Sequence, residues 1–226
     1  MVKFGVGQPA RRVEDERLVT GHGRYTDDIS MPGQAYAVMV RSPHAHAKIA
    51  GIDAEDAKAA PGVLAVYTGK DAEEAGLGTV YSPAADMLKN ADGTPIFKTV
   101  RNLIARSHVR HVGDLVAMVV AETPAQARDA ADLVMVDYED LPAVADTAGA
   151  LAPDAPVIWE ENGSNLAYDW SIGDEEKTEA AMKAAHHITR VKLVNNRIVV
   201  NAMEPRAALG NYEADRDHYT LHVCSQ

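Results

Sequence analysis

Hydrophobic and polar positions divide the first part of the chain into a polar stretch and a series of short strand and helix patterns. Residues 5–25 are polar, rich in glycine and arginine, and follow neither the helical nor the strand period, which indicates an extended arm. The β-branched and aromatic runs at 35–42 (AYAVMVRS) and 63–69 (VLAVYTG) predict strands. Between them, the good helix formers of 54–60 predict a short helix that Pro61 ends.

The clearest pattern is a strand, a helix and a second strand in the middle of the chain. Residues 115–121 (LVAMVVA) form an apolar run of the length of a buried strand. Thr123 can cap a helix with Pro124 at its first position, and that helix leads to a strand pattern at 134–139. Residues 76–98 contain scattered Gly, Pro, Asn and Asp, so no regular structure is predicted there. The mixture predicts an α/β (α+β) fold.

A proline-rich segment separates this part from a strand-rich one. Three prolines among small residues at 140–156 predict a surface linker and a domain boundary. Residues 166–173 (LAYDWSIG) then alternate as a strand does, and 175–185 is an alanine-rich helix pattern. Residues 187–203 form a long strand-forming run with a bend expected at Asn195-Asn196.

Two further strand patterns flank a turn. RAALGNYE (206–213) and YTLHVCSQ (219–226) lie on either side of the turn at 214–218. The sequence is still in a strand pattern at Gln226. Because a strand without partners is a liability, we expect the natural domain to continue past that residue.

Composition and charge narrow the possible functions. Over 226 residues the net charge is -11, which argues against nucleic-acid binding because that affinity depends on clustered Lys and Arg. The single cysteine, Cys224, excludes an internal disulfide, a CxxC zinc site and a cysteine-ligated iron–sulfur cluster within this chain. No signal peptide and no apolar run of about 18 residues is found, so we predict a cytoplasmic protein without a membrane span.

Two local motifs favour structural roles over chemical ones. The Gly5-x-Gly7-x-x-Ala10 pattern imitates a dinucleotide fingerprint, but no strand precedes it, so a flexible arm is the better interpretation. His44 and His46 would share one side of a strand and could bind a metal together. No third ligand is evident nearby, which favours turn residues with hydrogen-bonded rings.

An ordered series of segments resembles the large subunits of the xanthine dehydrogenase, aldehyde oxidase and aerobic carbon monoxide dehydrogenase family. The first segment, VGQPARRVEDERLVTGHGRYTDDI, is similar to the family's N-terminal signature at Arg12, Glu14, Asp15, Gly21, Gly23, Tyr25, Asp27 and Asp28. The others follow in family order: VRSPHAHAKI, PGVLAVYTG, VRHVGDLVAMVVAET, VDYEDLPAV, WSIGD, MEPRAAL and LHVCSQ. The resemblance spans essentially the whole chain.

This resemblance implies a domain organisation. Residues 1–16 would be the extended arm and 17–145 the α/β hammerhead domain. Residues 146–160 would be a linker, and 161–226 the incomplete beginning of a molybdopterin-binding domain. The boundary agrees with the one that the proline-rich segment predicts.

The resemblance also implies the N-terminal portion of the catalytic large subunit of a molybdenum hydroxylase. Such enzymes hydroxylate an aldehyde or an N-heterocycle, or oxidise CO, with water as the oxygen source. The implied cofactor of the complete subunit is molybdenum-molybdopterin cytosine dinucleotide. The implied partners are an iron–sulfur small subunit with [2Fe–2S] clusters, an FAD medium subunit and the remainder of the large subunit, assembled as a dimer of heterotrimers.

Three residues are the candidate site. By resemblance, the side-chain amide of Gln226 hydrogen-bonds an oxygen ligand of the molybdenum, which suits a neutral donor. Glu204 and Arg206, in MEPR, are expected to support the site as a buried ion pair or a cap. No metal ligand is predicted.

Two departures from the family pattern limit these implications. Ala207 stands where many relatives have Gly, and the Leu-Glu-Thr-Cys version typical of carbon monoxide dehydrogenases is absent, which argues against CO as substrate. The main cofactor loops and the general-base glutamate lie beyond the position of Gln226 in relatives. The chain alone is therefore expected to be inactive and without cofactor, as a truncation or one piece of a split large subunit. The alternative is a non-catalytic assembly or interaction module.

Overall fold

The computed structural model describes residues 11–196 and 198–225, which form two compact units. The larger unit is Ala35–Ile188, and the smaller unit joins the chain up to Gln34 with the chain from Thr189 onward. The boundary between the two compact units therefore does not fall at the predicted linker, because residues 146–160 lie inside the larger unit. The predicted domain bounds stay a prediction.

Short helices and strands alternate along the chain. The helices are α1 Asp15–Val19, α2 Glu55–Ala59, α3 Gly69–Glu74, α4 Ala84–Met87, α5 Pro124–Ala131 and α6 Glu175–Ala184, with 3-10 turns at Thr26–Asp28, Gly149–Leu151 and Glu160–Asn162. The strands are β1 Tyr36–Arg41, β2 Ala47–Asp53, β3 Val63–Thr68, β4 Thr79–Val80, β5 Arg101–Asn102, β6 His108–Val109, β7 Leu115–Ala121, β8 Met135–Asp140, β9 Ala208–Glu213 and β10 His218–Val223. In the described part of the chain, no helix is long and apolar enough to cross a membrane.

Antiparallel sheets organise the larger unit. One sheet has the order β1-β7-β3, a second has the order β6-β2-β8, and β4 pairs with β5. The central strand β7 contributes to two clusters of buried side chains: Val119 packs in a cluster with Ala130 of α5, and Val116 in another with Val109 of β6. Both faces of β7 are therefore covered, which explains its continuous apolar run.

The capping residues of α5 act as the sequence predicts. The Thr123 hydroxyl accepts a hydrogen bond from the backbone N–H of Gln126 at 3.3 Å, and Pro124 occupies the first turn. Ala127 and Ala130 are fully buried against the sheet. The strand-helix-strand prediction for the middle of the chain is confirmed.

Four secondary-structure predictions are wrong or incomplete. The stretch 76–98 contains β4 and α4, and the polar arm contains α1. Residues 166–173 are not a strand, because they make only isolated backbone contacts, such as Phe97 N–H to Ala167 O at 2.9 Å. Within 187–203, the described residues form no strand.

The segment predicted as a linker is held firmly at its end. The Asn165 amide donates to Ala150 O at 3.0 Å and to Pro156 O at 2.9 Å, while its oxygen accepts from Ile158 N–H at 2.9 Å. The Arg110 guanidinium lies 4.1 Å from the Trp159 ring centroid and donates to Ile158 O at 3.1 Å. These contacts fix residues 150–165 as an ordered part of the larger unit.

The half-buried His108 of β6 should make stability pH-dependent. Burial first, and then the positive charge of Arg110, lower the pKa of His108 below its usual 6.5. The folded state therefore binds fewer protons than the unfolded state, so stability is present above about pH 6.5 and falls as the pH drops below it. Urea midpoints measured from pH 7.5 to pH 5.5 should decline, and His108→Gln should flatten that decline. The exposed His22→Gln variant is the control; if both variants follow the wild-type slope, His108 is not its source.

Candidate functional site

The candidate site lies in the smaller unit, at the end of the β9–β10 hairpin. Gln226, the predicted cofactor-contacting residue, lies outside the described residues, and its neighbour Ser225 is the last one described. Glu204 and Arg206 precede β9, on the segment that runs beside the end of β10. The site is therefore described through Glu204, Arg206 and the described residues that precede Gln226 in sequence.

Glu204 caps a turn from the beginning of the chain. Its Oε1 accepts hydrogen bonds from the Thr26 backbone N–H at 3.1 Å and from the Thr26 hydroxyl at 3.4 Å. Thr26 begins the 3-10 turn Thr26–Asp28. The backbone N–H of Tyr25, the residue before this turn, donates to the Asp28 carboxylate at 2.8 Å. Glu204 therefore caps this turn, while its predicted support of a cofactor site stays a prediction.

Arg206 is exposed and does not pair with Glu204. Among the described residues, no acidic side chain lies within ion-pair distance of its guanidinium, and the supporting role predicted for Arg206 stays a prediction. The Glu204 carboxylate instead accepts hydrogen bonds from Thr26, through its Oε1 atom. Arg206 consequently presents a hydrated positive charge.

The thiol of Cys224 fastens the end of β10 to the MEPR segment. It donates to Pro205 O at 3.3 Å and accepts from the Ala207 N–H at 3.3 Å. The sulfur thus continues the strand pairing beyond Val223–Ala208, the last pair of the hairpin ladder. This anchoring sets the backbone position from which the chain proceeds to Gln226.

These residues border an open depression of about 560 Å³, lined by Glu204, Arg206, Cys224 and Ser225. Its lining includes one cation, one hydroxyl and one engaged carboxylate beside apolar atoms. The Arg206 guanidinium on this lining can form charge-assisted hydrogen bonds to an anionic group.

The two histidines of the SPHAHA segment are bound within the larger unit. His46 is buried, and its Nδ1 lies 2.8 Å from Pro142 O, while His44 Nδ1 lies 2.6 Å from the Asp140 carboxylate. The His44 ring also packs on Tyr138, with 4.5 Å between centroids. The prediction of hydrogen-bonded rings is confirmed, and within the described ranges no group of three potential ligands could hold a metal.

Sequence reasoning missed Thr26 as a member of the site. It lies 178 positions from Glu204, and only the presence of both segments in one family signature could have suggested the pairing. The anchoring role of Cys224 was missed for a different reason. A lone cysteine in a strand pattern carries no signal about which backbone groups its thiol will meet.

Two family profiles match the chain in order. The profile "Aldehyde oxidase and xanthine dehydrogenase, a/b hammerhead domain" matches residues 20–142, and the profile "Molybdopterin cofactor-binding domain" matches residues 158–226. The depression described above therefore falls within the second profile.

Individual relatives are similar over nearly the whole chain. The carbon monoxide dehydrogenase large chain of Afipia carboxidovorans is 34% identical over 96% of this chain, and the nicotine 6-hydroxylase large subunit of Paenarthrobacter nicotinovorans is 36% identical over 98%. The crystal structure of quinoline 2-oxidoreductase from Pseudomonas putida 86 superposes with a TM-score of 0.82 at 33% identity, covering 97% of this chain. The chain spans only 26% to 27% of the length of these proteins.

Proposed function

Because the chain belongs to the aldehyde oxidase and xanthine dehydrogenase family, we propose that it is the N-terminal portion of the catalytic large subunit of a molybdenum hydroxylase. The observation that carries the proposal is the ordered match of a hammerhead profile and a molybdopterin cofactor-binding profile. The complete enzyme would hydroxylate a carbon centre of its substrate with an oxygen atom from water.

The proposed domains keep the predicted bounds. Residues 1–16 are the arm, 17–145 the hammerhead domain, 146–160 the connection and 161–226 the start of the molybdopterin-binding domain. The profile limits at 20–142 and 158–226 support these bounds.

We place part of the proposed cofactor, molybdenum-molybdopterin cytosine dinucleotide, at the depression lined by Glu204, Arg206, Cys224 and Ser225. Arg206 would attract its anionic groups, and Gln226 would donate an amide hydrogen bond to an acceptor on it. Glu204 and Cys224 would act indirectly, since their hydrogen bonds to Thr26 and Pro205 hold the segment that carries these groups. The bound cofactor would supply the redox chemistry, while the protein supplies orientation and charge.

The proposed partners are an iron–sulfur small subunit and an FAD medium subunit, in a cytoplasmic dimer of heterotrimers. A [2Fe–2S] cluster takes four cysteine thiolates, and this chain has one cysteine, so the clusters would reside elsewhere. Several relatives are named as parts of assemblies, for example "6-hydroxypseudooxynicotine dehydrogenase complex subunit gamma".

The proposed substrates are N-heterocycles or aldehydes in preference to CO. Ala207 and the missing Leu-Glu-Thr-Cys segment depart from the pattern of carbon monoxide dehydrogenases. Two relatives act, by their names, on the N-heterocycles nicotine and quinoline.

Turnover in isotopically labelled water tests this function. The chain should be purified with the polypeptides encoded beside it and supplied with N-heterocycles, aldehydes or CO and an artificial electron acceptor. We expect oxidation of a member of the first two classes, with ¹⁸O from water in the product, and none from the isolated chain. Product labelled from O₂ instead of water, or a fully assembled complex without turnover on any class, would refute the proposal.

The alternative to a catalytic portion is an assembly or interaction module, and a third possibility is one piece of a split large subunit. The split subunit is considered because the chain spans only 26% to 27% of the length of these relatives. Sequencing the gene past the codon for Gln226 distinguishes them. A cofactor-binding continuation in the same or the next reading frame supports the catalytic portion, and its absence supports the module.

A further inference from the structure

The larger unit contains a groove between residues 90–97 and residues 162–169. The two segments are joined by their backbones: the Ala91 N–H donates to Asp169 O at 2.8 Å, and the Asp169 N–H donates to the side-chain oxygen of Asn90 at 2.9 Å. The groove beside these bonds has a volume of about 540 Å³. Its walls include Pro95, Phe97, Leu166 and Tyr168, and its charged groups are Asp92 and Asp169. We call it the acidic groove.

The two carboxylates of the acidic groove have no countercharge in its lining. Thr94 donates to Asp92 Oδ1 from its hydroxyl at 2.6 Å and from its N–H at 2.9 Å, and these bonds lower the pKa of Asp92. Both bonds use the same oxygen, which leaves Oδ2 of Asp92 available. The Asp169 carboxylate accepts no hydrogen bond from the described residues, and none of those that line the groove is a cation. The charge of the groove therefore favours a cationic ligand.

The walls of the acidic groove are apolar and open to a ligand. Leu166 is 45% exposed and Tyr168 is 52% exposed. Phe97 is held in place, since its ring lies edge-on to Trp159 with 6.1 Å between centroids. Aromatic rings attract cations through the negative face of their π systems. The volume of the groove lies in the range of small-molecule sites, which are typically apolar with a few polar groups.

The geometry favours an organic ligand over a metal ion or an extended peptide. A hard cation such as Ca²⁺ takes about six to eight oxygen ligands, and within the described ranges no group of three potential side-chain ligands could hold a metal. An extended peptide gains affinity by pairing with free backbone groups at a sheet edge. Here the N–H groups of Ala91 and Phe97 already donate within the chain.

We propose that the acidic groove binds a small organic cation, a protonated amine carried on an aromatic body. The ammonium group binds the carboxylates of Asp92 and Asp169, and the aromatic body packs on Leu166 and Tyr168. The bound ligand bridges the two segments and so stabilises the larger unit. The proposal is independent of the proposed function, because the groove uses none of the residues assigned to the cofactor.

Titration of the full chain with three indole compounds tests the proposal. Tryptamine carries an ammonium group, tryptophol a neutral hydroxyl and indole-3-propionate a carboxylate on the same ring system. Because hydrogen bonds between charged groups are the stronger ones, calorimetry should show tryptamine binding at least about tenfold more tightly than tryptophol. Indole-3-propionate should not bind, and tryptamine should raise the Tm of the chain.

Matched variants locate the binding. Asp169→Asn should weaken tryptamine binding at least about tenfold, and Tyr168→Ala about two- to tenfold. Asp129→Asn makes the same change as Asp169→Asn at an exposed position of α5, outside the groove, and should bind as the wild type does. Without ligand, Asp169→Asn should unfold at the wild-type temperature, because its carboxylate accepts no hydrogen bond from the described residues.

Several results would overturn the proposal. These are no binding of tryptamine at millimolar concentration, equal affinity for the three indole compounds, and equal affinity of the wild type and Asp169→Asn for tryptamine. Binding of Ca²⁺ that Asp169→Asn abolishes, without binding of tryptamine, would assign the groove to a metal ion. An extended peptide containing Trp and Lys that binds more tightly than tryptamine, and depends on Asp169, would assign it to a polypeptide segment.

Discussion

Replacing Gln226 with alanine in the complete enzyme should lower turnover per bound molybdenum about 10- to 100-fold, the usual effect of removing a hydrogen bond that orients a metal centre. Molybdenum content should stay nearly unchanged, because the many contacts to the pterin and phosphate groups of the cofactor would hold it. Gln226 follows Ser225 in the sequence, and Ser225 lines the depression that Arg206 also lines. A neutral amide can donate a hydrogen bond without adding charge.

The glutamate variant distinguishes the effect of the neutral amide group from the effect of side-chain size. Gln226→Glu should be slower than Gln226→Ala, because a carboxylate near an electron-rich acceptor is repelled or must first take up a proton. Gln34→Ala, which removes an amide that binds only the Met31 backbone at 2.9 Å, is the control. Turnover and molybdenum should be measured on the same samples. Wild-type turnover of both Gln226 variants at full occupancy would make Gln226 an ordinary strand residue.

Gly69→Ala should destabilise the larger unit strongly. Gly69 is buried at the start of α3, and an added Cβ would overlap the Ala105 carbonyl oxygen and lie 2.8 Å from its carbonyl carbon. The neighbouring atoms are backbone, which cannot rotate away, so a cost at or above the about 1–3 kcal/mol of ordinary overpacking is expected. For a chain of this size, each kcal/mol lowers Tm by roughly 2–4 °C.

The matched control is Gly78→Ala. Gly78 is exposed, and no atom lies within 4 Å of a Cβ built there. Thermal unfolding followed by circular dichroism should therefore show a large fall in Tm for Gly69→Ala and little change for Gly78→Ala. Equal Tm values for the two variants would mean that the backbone at Ala105 shifts to accommodate the added methyl group at little energetic cost.

The sequence predicts those elements whose signals are local. β7 and α5 were predictable because a continuous apolar run and a Thr-Pro cap act within a few residues. β2 was missed because its small and polar residues do not follow a clear strand pattern, and its register shifts at Gly51. Its position between β6 and β8 is a tertiary feature that the local sequence does not indicate. The run 187–203 was overpredicted because strand composition does not supply a ladder partner.

The candidate site follows the same rule. Family motifs located Glu204 and Arg206, but the partner of Glu204 is Thr26, 178 residues away, and no periodicity encodes such a contact. The motif likewise gave no signal that Arg206 would be exposed.

Molybdenum content tests the central claim most directly. The complex should be isolated from the native cell through a tag on this chain, and its metal measured by mass spectrometry against the amount of chain. A portion of a molybdenum hydroxylase large subunit predicts near-stoichiometric molybdenum in the complex. A complex of defined composition that contains this chain and no molybdenum would contradict the account.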